Sequence, residues 1–298
     1  MSLPAEIRLM ILEAVRHQIN PGWASLASVC KEWQIFIEAK NFHTLQLKVS
    51  CLDDLECMVV RQRDLVRHIS FNIELARYTC RSCKREESES WESRNSAIVS
   101  KGVWKLFTVL STWKSSTGLT LELNAYSPSD SDHWFKDYHF ASGDEGNEDT
   151  TSLQEYGSGW HDPKHGWIKG QRARTPPHDA VLRLFSQVDP RFRKGLPEVD
   201  VVSCFIIRRQ LRRRLCSWAF LPILDKLCRL EHIVYEPWRP WQSWRRDLLD
   251  KRSIPIPKAP LFLILTSELQ ISDNWCEKVF PKRSRHCQFL KISTTISR

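Results

Sequence analysis

The chain has 298 residues, of which 42% are apolar and 27% are charged, with a net charge of +9. This composition is typical of a globular protein and excludes a fully disordered chain. The sequence has no run of about 18 apolar residues, so it predicts no membrane-spanning helix, and its start lacks the pattern of a secretory signal. We therefore expect the protein inside the cell, in the cytoplasm, the nucleus or both, where its ten cysteines would stay reduced.

Two amphipathic segments come first along the chain. Pro4 suits the first turn of a helix, because a proline nitrogen has no hydrogen to donate there. Apolar residues then recur at helical spacing in both segments, and the residues 20–22 (NPG) separate them. The two predicted stripes are Ile7, Met10, Ile11, Ala14 and Val15, then Leu26, Val29, Cys30, Trp33, Phe36 and Ile37. The pattern predicts a helical hairpin with more apolar surface than it can cover by itself.

These segments resemble an F-box over residues 1–44, through a Leu-Pro start, an Ile-Leu pair and a Val-Cys-basic-x-Trp helix. The turn between them is longer than is usual in that family. The resemblance implies binding to a Skp-type adaptor and, through it, to a cullin–RING ubiquitin ligase. The residues that it assigns to the adaptor contact are Leu3, Pro4, Glu6, Ile7, Ile11, Leu12, Leu26, Val29, Cys30 and Trp33.

The rest of the chain alternates short β-rich runs with helix-like runs. The predicted strands are 44–49, 68–75, 119–126, 200–207, 230–236, 261–265 and 289–293. Most of their spacings are near one or two units of about 25–30 residues, the period of leucine-rich repeats, although no asparagine or cysteine ladder is evident. The predicted fold is therefore α/β, with an N-terminal F-box hairpin followed by an irregular, leucine-rich-repeat-like solenoid. An α/β domain without repeats is the alternative.

The domain prediction has four parts: an F-box at 1–44, the first part of the body at 45–126, a flexible insertion rich in glycine and acidic residues at 127–179, and the second part of the body at 180–298. From residue 1 to about 250 the segments are similar to those of fungal F-box proteins. The later residues fit that family less well, which suggests a truncated or mis-spliced gene model.

Cys80 and Cys83 form a Cys-x-x-Cys pair, which is half of a typical zinc site. His68 or Cys57 would have to complete it, so free thiols in a loop are the favoured interpretation, and no metal or cofactor is predicted. The sequence contains none of the common phosphate-binding, nucleophile-elbow or zinc-protease motifs. It therefore predicts a protein without an active site of its own.

An arginine run at 208–215 and a tryptophan-rich stretch at 235–249 are the remaining candidates for recognition. The arginine run is interpreted first as a solvated helix face with Leu211 and Leu215 pointing inward, and second as a site for an acidic partner. The tryptophans fit an exposed binding surface and a buried core equally well. The target-binding candidates are Arg208, Arg209, Arg212, Arg213, Trp238, Arg239, Trp241 and Trp244.

Together these features predict a substrate-recognition subunit of a Skp–cullin–F-box ubiquitin ligase. Its partners would be the adaptor and an unidentified target protein, with no membrane partner. The alternative is a basic nucleic-acid-binding protein that uses the arginines and tryptophans, with an affinity that falls steeply with salt.

Overall fold

The computed structural model describes residues 4–17, 23–114, 118–135, 162–208, 211, 213–215, 217–236 and 291–293. Its helices are α1 Ala5–His17, α2 Lys31–Asn41, α3 Leu52–Met58, α4 Glu89–Ser111, α5 Pro128–His133, α6 His178–Leu184 and α7 Ser217–Asp225. Its strands are β1 Thr44–Lys48, β2 His68–Glu74, β3 Leu119–Tyr126, β4 Trp167–Ile168, β5 Gln171–Arg172, β6 Gln187–Val188, β7 Val202–Ile207, β8 Arg214–Leu215, β9 His232–Tyr235 and β10 Lys291–Ser293. None of the helices in these ranges combines the length and the apolar character that a membrane crossing requires.

A six-stranded sheet in the order β1-β2-β3-β7-β9-β10 forms the body of the protein. Every neighbouring pair in it is parallel, with Thr44 opposite His68 and Phe71 opposite Leu123. The strands of this sheet therefore lie side by side in the order in which they occur along the chain. The predicted α/β class is confirmed, and the structure adds that the sheet is parallel.

The central strands β2 and β3 are buried on both faces, as parallel strands usually are. Ile69, Phe71 and Ile73 of β2 have no exposed surface, and the long helix α4 buries Val103 and Leu110 in the same core. One polar pair also lies in this sheet: Asn72 and Asn124 are opposite each other, and the Asn124 amide donates to the Asn72 side-chain oxygen at 3.0 Å. No feature of the sequence predicted this pair of asparagines.

Six of the seven predicted strand regions contain a strand of this sheet. The seventh, 261–265, lies outside the described residues. The sequence located these strands well because each is a short apolar run between polar or helical segments.

The second predicted helix is divided, in contrast to the prediction of one continuous apolar stripe. A 3₁₀-helix occupies Trp23–Ser28 and α2 begins at Lys31, because the backbone at Cys30 is extended, with φ −162° and ψ 172°. Val29 and Cys30 therefore lie in a connection rather than on a helix.

The predicted flexible insertion at 127–179 is structured at its two ends. Residues 127–135 include α5, and residues 162–179 include the β4–β5 hairpin and the start of α6. The Ser127 hydroxyl donates to the Ala76 carbonyl oxygen at 3.0 Å, which ties the start of α5 to the loop after β2. Residues 136–161 lie outside the described residues.

Candidate partner-binding surface and a buried ionic cluster

Two ion pairs join the N-terminal helices, and each of the two helices buries one apolar side chain. Arg8 of α1 contacts Glu32 of α2 with a separation of 3.0 Å, and Lys40 lies 3.8 Å from Glu13. Leu12 and Ile37 are buried, with 2% and 1% of their surface exposed. These contacts define one helical unit and fix which faces of α1 and α2 remain open.

Four apolar side chains of α1 remain exposed: Ile7, Leu9, Met10 and Ile11. Ile7, Met10 and Ile11 are three and four positions apart and share one side of the helix, and we call these three the α1 apolar surface, whereas Leu9 lies on another side. Met10 is the most exposed of them, at 67%. Single exposed apolar residues are common, but three that share one side of a short helix are typical of a surface that meets a partner. Val29 and Ile35 add exposed apolar area in the second segment.

The structure separates the predicted adaptor contacts into three groups. Exposed members are Pro4, Glu6, Ile7, Ile11, Val29 and Cys30, whereas Leu26 and Trp33 are partly buried. Leu12 is buried inside the helical unit, so it supports the fold and is not available to a partner. Leu3 lies outside the described residues.

Sequence reasoning missed Leu9 and Ile35 as exposed candidates. Both residues lie outside the predicted apolar stripes. A prediction from periodicity considers the apolar residues that share one face of the helix and leaves out apolar residues on other faces. Met10 belongs to the predicted stripe, but the resemblance did not assign it to the adaptor contact.

Beyond the N-terminal unit, four charged side chains and one tyrosine form a buried ionic cluster: Tyr78, Glu87, Asp130, Arg183 and Arg213. The Arg213 guanidinium donates to the Glu87 carboxylate and to the Arg183 carbonyl oxygen, both at 2.6 Å. The Tyr78 hydroxyl donates to Asp130 at 2.9 Å. The charged side chains are at most 8% exposed, so two cations and two carboxylates neutralise each other away from water.

Further contacts fix this cluster in place. Arg183 donates to the carbonyl oxygens of Arg85 and Glu86 at 2.7 Å and 2.9 Å, and its guanidinium lies 4.8 Å from the centre of the Tyr78 ring. Burial, together with the neighbouring Asp130 carboxylate, raises the pKa of the Tyr78 hydroxyl. Burial also raises the pKa of Asp130, and Arg213 opposes that shift. The cluster therefore links the loop after β2 to α5, α6 and the segment after β7.

In the part of the arginine run that the structure describes, there is no solvated helix of the kind that the sequence predicts. Within its described residues, Leu211 is buried in a turn after β7, and Arg214–Leu215 is the short strand β8. Arg208 lies 3.5 Å from Glu122, and Arg213 is inside the ionic cluster, so Arg213 cannot contact a target. Arg209, Arg212, Trp238, Arg239, Trp241 and Trp244 lie outside the described residues.

The Cys-x-x-Cys pair is completed by neither of its two predicted partners. Cys80 is exposed and Cys83 is buried, with the Cys83 thiol donating to the Cys80 carbonyl oxygen at 3.3 Å. His68 lies 3.1 Å from Glu122 in the sheet, and Cys57 is exposed on α3. In the described ranges, neither joins Cys80 in a group of potential metal ligands.

An open groove of about 1680 Å³ lies between the start of α4 and the segment 186–196. Its lining includes the acidic residues Glu89 and Glu92 together with the basic residues Arg193 and Lys194. The groove therefore offers charges of both signs to a polar ligand or peptide.

Comparison of the chain with models of known protein families, with curated proteins and with solved structures found no match.

Proposed function

We propose that the protein is the substrate-recognition subunit of a Skp–cullin–F-box ubiquitin ligase in the cytoplasm, the nucleus or both. The observation that carries this proposal is the α1 apolar surface, which coincides with the segment that resembles an F-box. Ile7 and Ile11, which the resemblance assigns to the adaptor contact, are both exposed.

The physical argument is that an exposed apolar surface gains free energy when a partner covers it. Each 100 Å² of apolar surface removed from water contributes about 2.5 kcal/mol before the costs of association. Because Leu12 and Ile37 already stabilise the helical unit from inside, the outer side chains are free to serve binding. A Skp-type adaptor with an apolar groove is the occupant that we propose.

In this proposal the body holds the target protein, while other subunits of the ligase carry the chemistry of ubiquitin transfer. A sheet whose parallel strands follow the chain order, with one Asn72–Asn124 rung, supports an irregular leucine-rich-repeat-like body. The groove beside α4 is the described surface to which we assign the target.

Nucleic-acid binding, the alternative from the sequence, loses support. Arg213 pairs with Glu87 inside the protein, and the partly buried Arg208 lies 3.5 Å from Glu122. A protein that binds phosphates needs such side chains at its surface.

The test is a titration of the full chain with a Skp-type adaptor, comparing two matched variants. Met10→Glu places a charge on the α1 apolar surface, and Met58→Glu does the same at the end of α3, where the methionine is 68% exposed against 67% for Met10. We expect Met10→Glu to weaken adaptor binding by about tenfold or more, equivalent to about 1.4 kcal/mol. Met58→Glu should bind as the parent does.

Thermal unfolding of both variants separates binding from stability. Neither methionine is buried, so both unfolding temperatures should stay close to that of the parent. If the parent chain does not bind the adaptor, or if both variants weaken binding equally, the proposal fails.

A further inference from the structure

Three potential metal ligands from distant parts of the chain meet at one end of the sheet. Cys80 lies in the loop after β2, His133 ends α5, and His165 precedes the β4–β5 hairpin. The cysteine sulfur and one nitrogen from each histidine ring all lie within 4.8 Å of one another. We propose that Cys80, His133 and His165 bind a zinc ion, with Cys83 as the fourth ligand.

Backbone contacts bring these three segments together. The Tyr78 amide donates to the Ser129 hydroxyl at 3.0 Å, and that hydroxyl donates back to the Tyr78 carbonyl oxygen at 2.9 Å. The His165 amide donates to the His133 carbonyl oxygen at 2.9 Å. The loop that carries Cys80 and the segment that carries His165 are thus both attached to α5, so the cluster is built into the fold.

The two histidines also carry unsatisfied polar atoms. The Nε2 atoms of His133 and His165 are both buried and have no hydrogen-bond partner. A buried polar atom without a partner costs about 1–3 kcal/mol. A metal ion bound to these nitrogens would satisfy both of them at once.

The orientation of His133 is the one found in metal sites. His133 is 2% exposed, and its Nδ1 atom lies 2.8 Å from the Ser129 carbonyl oxygen. Since a carbonyl oxygen can only accept, Nδ1 carries the hydrogen, and in the neutral imidazole Nε2 then has the lone pair that a metal requires. A ring held through one nitrogen, with the other left for the metal, is the usual second contact of a ligating histidine.

The ligand types select the metal. A thiolate with imidazole nitrogens suits zinc, whereas calcium and magnesium prefer oxygen ligands. In a tetrahedral zinc site, bond lengths of about 2.0–2.3 Å place ligand atoms roughly 3.5 Å apart. The three side chains therefore need only a small contraction around the ion.

Cys83 is the residue placed to complete the site. It follows Cys80 at the spacing of a zinc-binding pair. The turn that contains both cysteines is closed by hydrogen bonds from the Ser82 and Cys83 amides to the Thr79 carbonyl oxygen. Its thiol already lies 3.3 Å from the Cys80 carbonyl oxygen. Cys83 is not among the three residues whose ligand atoms already lie within 4.8 Å of one another, so its side chain would have to change conformation to bind the ion.

The experiment measures zinc in the purified full chain by mass spectrometry and then replaces the zinc with cobalt. We expect one zinc ion per chain and a cobalt spectrum with a thiolate charge-transfer band. Cys80→Ser and His165→Gln should each lower zinc affinity by at least about tenfold, whereas Cys57→Ser should leave it unchanged. Cys80 is exposed and His165 partly exposed, so these variants test the site without emptying the core.

Three results would overturn the proposal: a parent chain that binds neither metal, a cobalt spectrum without the thiolate band, or a Cys57→Ser variant that loses zinc as Cys80→Ser does. Cys83→Ser tests the fourth ligand, because the intensity of the charge-transfer band should fall to about half when one of two thiolates is lost. An unchanged band would remove Cys83 from the site. None of these measurements depends on adaptor binding, so the zinc site and the proposed ligase function can fail separately.

Discussion

The substitution Arg213→Met tests whether the buried ionic cluster stabilises the fold. Methionine replaces the apolar stem of the arginine side chain but is shorter and carries no charge. The Arg213 side chain is 1% exposed and its main partner, Glu87, is 2% exposed. Once the guanidinium is gone, the Glu87 carboxylate and the Arg183 carbonyl oxygen each lose a hydrogen bond of 2.6 Å.

Removing one partner of a buried ion pair costs about 3–5 kcal/mol, because the other charge remains buried. Glu87 keeps a hydrogen bond from Asn95 at 3.1 Å and has Arg183 at 3.9 Å, which favours the lower part of that range. A loss of about 3 kcal/mol is a large share of a typical stability of about 5–15 kcal/mol. With a urea dependence of about 2–3 kcal/mol per molar, the unfolding midpoint should fall by about 1 M or more.

The assay is urea unfolding of the full chain, with Arg191→Ala as the control. Arg191 pairs with Asp189 at 3.1 Å but is 81% exposed, so its loss should cost less than about 1 kcal/mol. In the double variant Arg213→Met with Glu87→Gln, the cost should be lower than the sum of the single costs by about 0.5–3 kcal/mol. A cost for Arg213→Met no larger than for Arg191→Ala, or full additivity in the double variant, would refute the reasoning.

Two further predictions concern Tyr78 and the start of β3. The pKa of Tyr78 is raised above its unfolded value of about 10, so its contribution to the free energy of unfolding is complete below about pH 10. Above that pH the contribution declines by up to about 1.4 kcal/mol per pH unit. Urea unfolding at rising pH should show this decline in the parent and a smaller one in Tyr78→Phe. In Gly118→Ala the new methyl group would overlap the Ser203 side chain, with its carbon 2.7 Å from the Ser203 Cβ, and should cost about 1–3 kcal/mol. The added change Ser203→Gly should recover part of that loss, and equal unfolding midpoints for Gly118→Ala and the parent would contradict this packing.

The sequence predicted the strands of the sheet because the signal of a strand is local. A strand such as β2 is a short apolar run, and its neighbours repeat that pattern at intervals that leave room for a helix. The division of the second N-terminal helix was missed, since the apolar spacing continues through Cys30 while the backbone there is extended. The spacing of apolar residues predicts which side chains face inward, but it does not predict the residue at which a helix ends.

The clusters at the end of the sheet could not be predicted in the same way. Arg213 lies in a run of exposed-looking arginines, and only the fold brings it to Glu87 and Asp130. The Cys80-x-x-Cys83 pair is a recognisable half of a metal site in the sequence. His133 and His165 are far from it along the chain and match no known ligand spacing. Their meeting depends on how the loops after β2 and β3 pack, which is a property of tertiary structure.

Both clusters depend on α5, and this leads to the last prediction. A helix of six residues, Pro128–His133, is far too short to be stable alone. Asp130 and His133 are three positions apart on it, which places them on one face. Asp130 joins the ionic cluster, and His133 joins the proposed zinc ligands. Contacts that hold α5 in place for one cluster therefore also position it for the other.

Arg213→Met should consequently weaken zinc binding, although Arg213 is not a ligand. Coupling between contacting groups is commonly about 0.5–3 kcal/mol, and a value near 1.4 kcal/mol corresponds to a tenfold loss of affinity. Competition with a zinc chelator would measure this loss, with Arg191→Ala as the control that keeps the parent affinity. Equal zinc affinity in Arg213→Met and the parent would mean that α5 is held by the remaining contacts alone, such as those of Ser127 and Ser129 with the loop after β2. A loss confined to Arg213→Met would show that the buried charges keep the metal ligands in place.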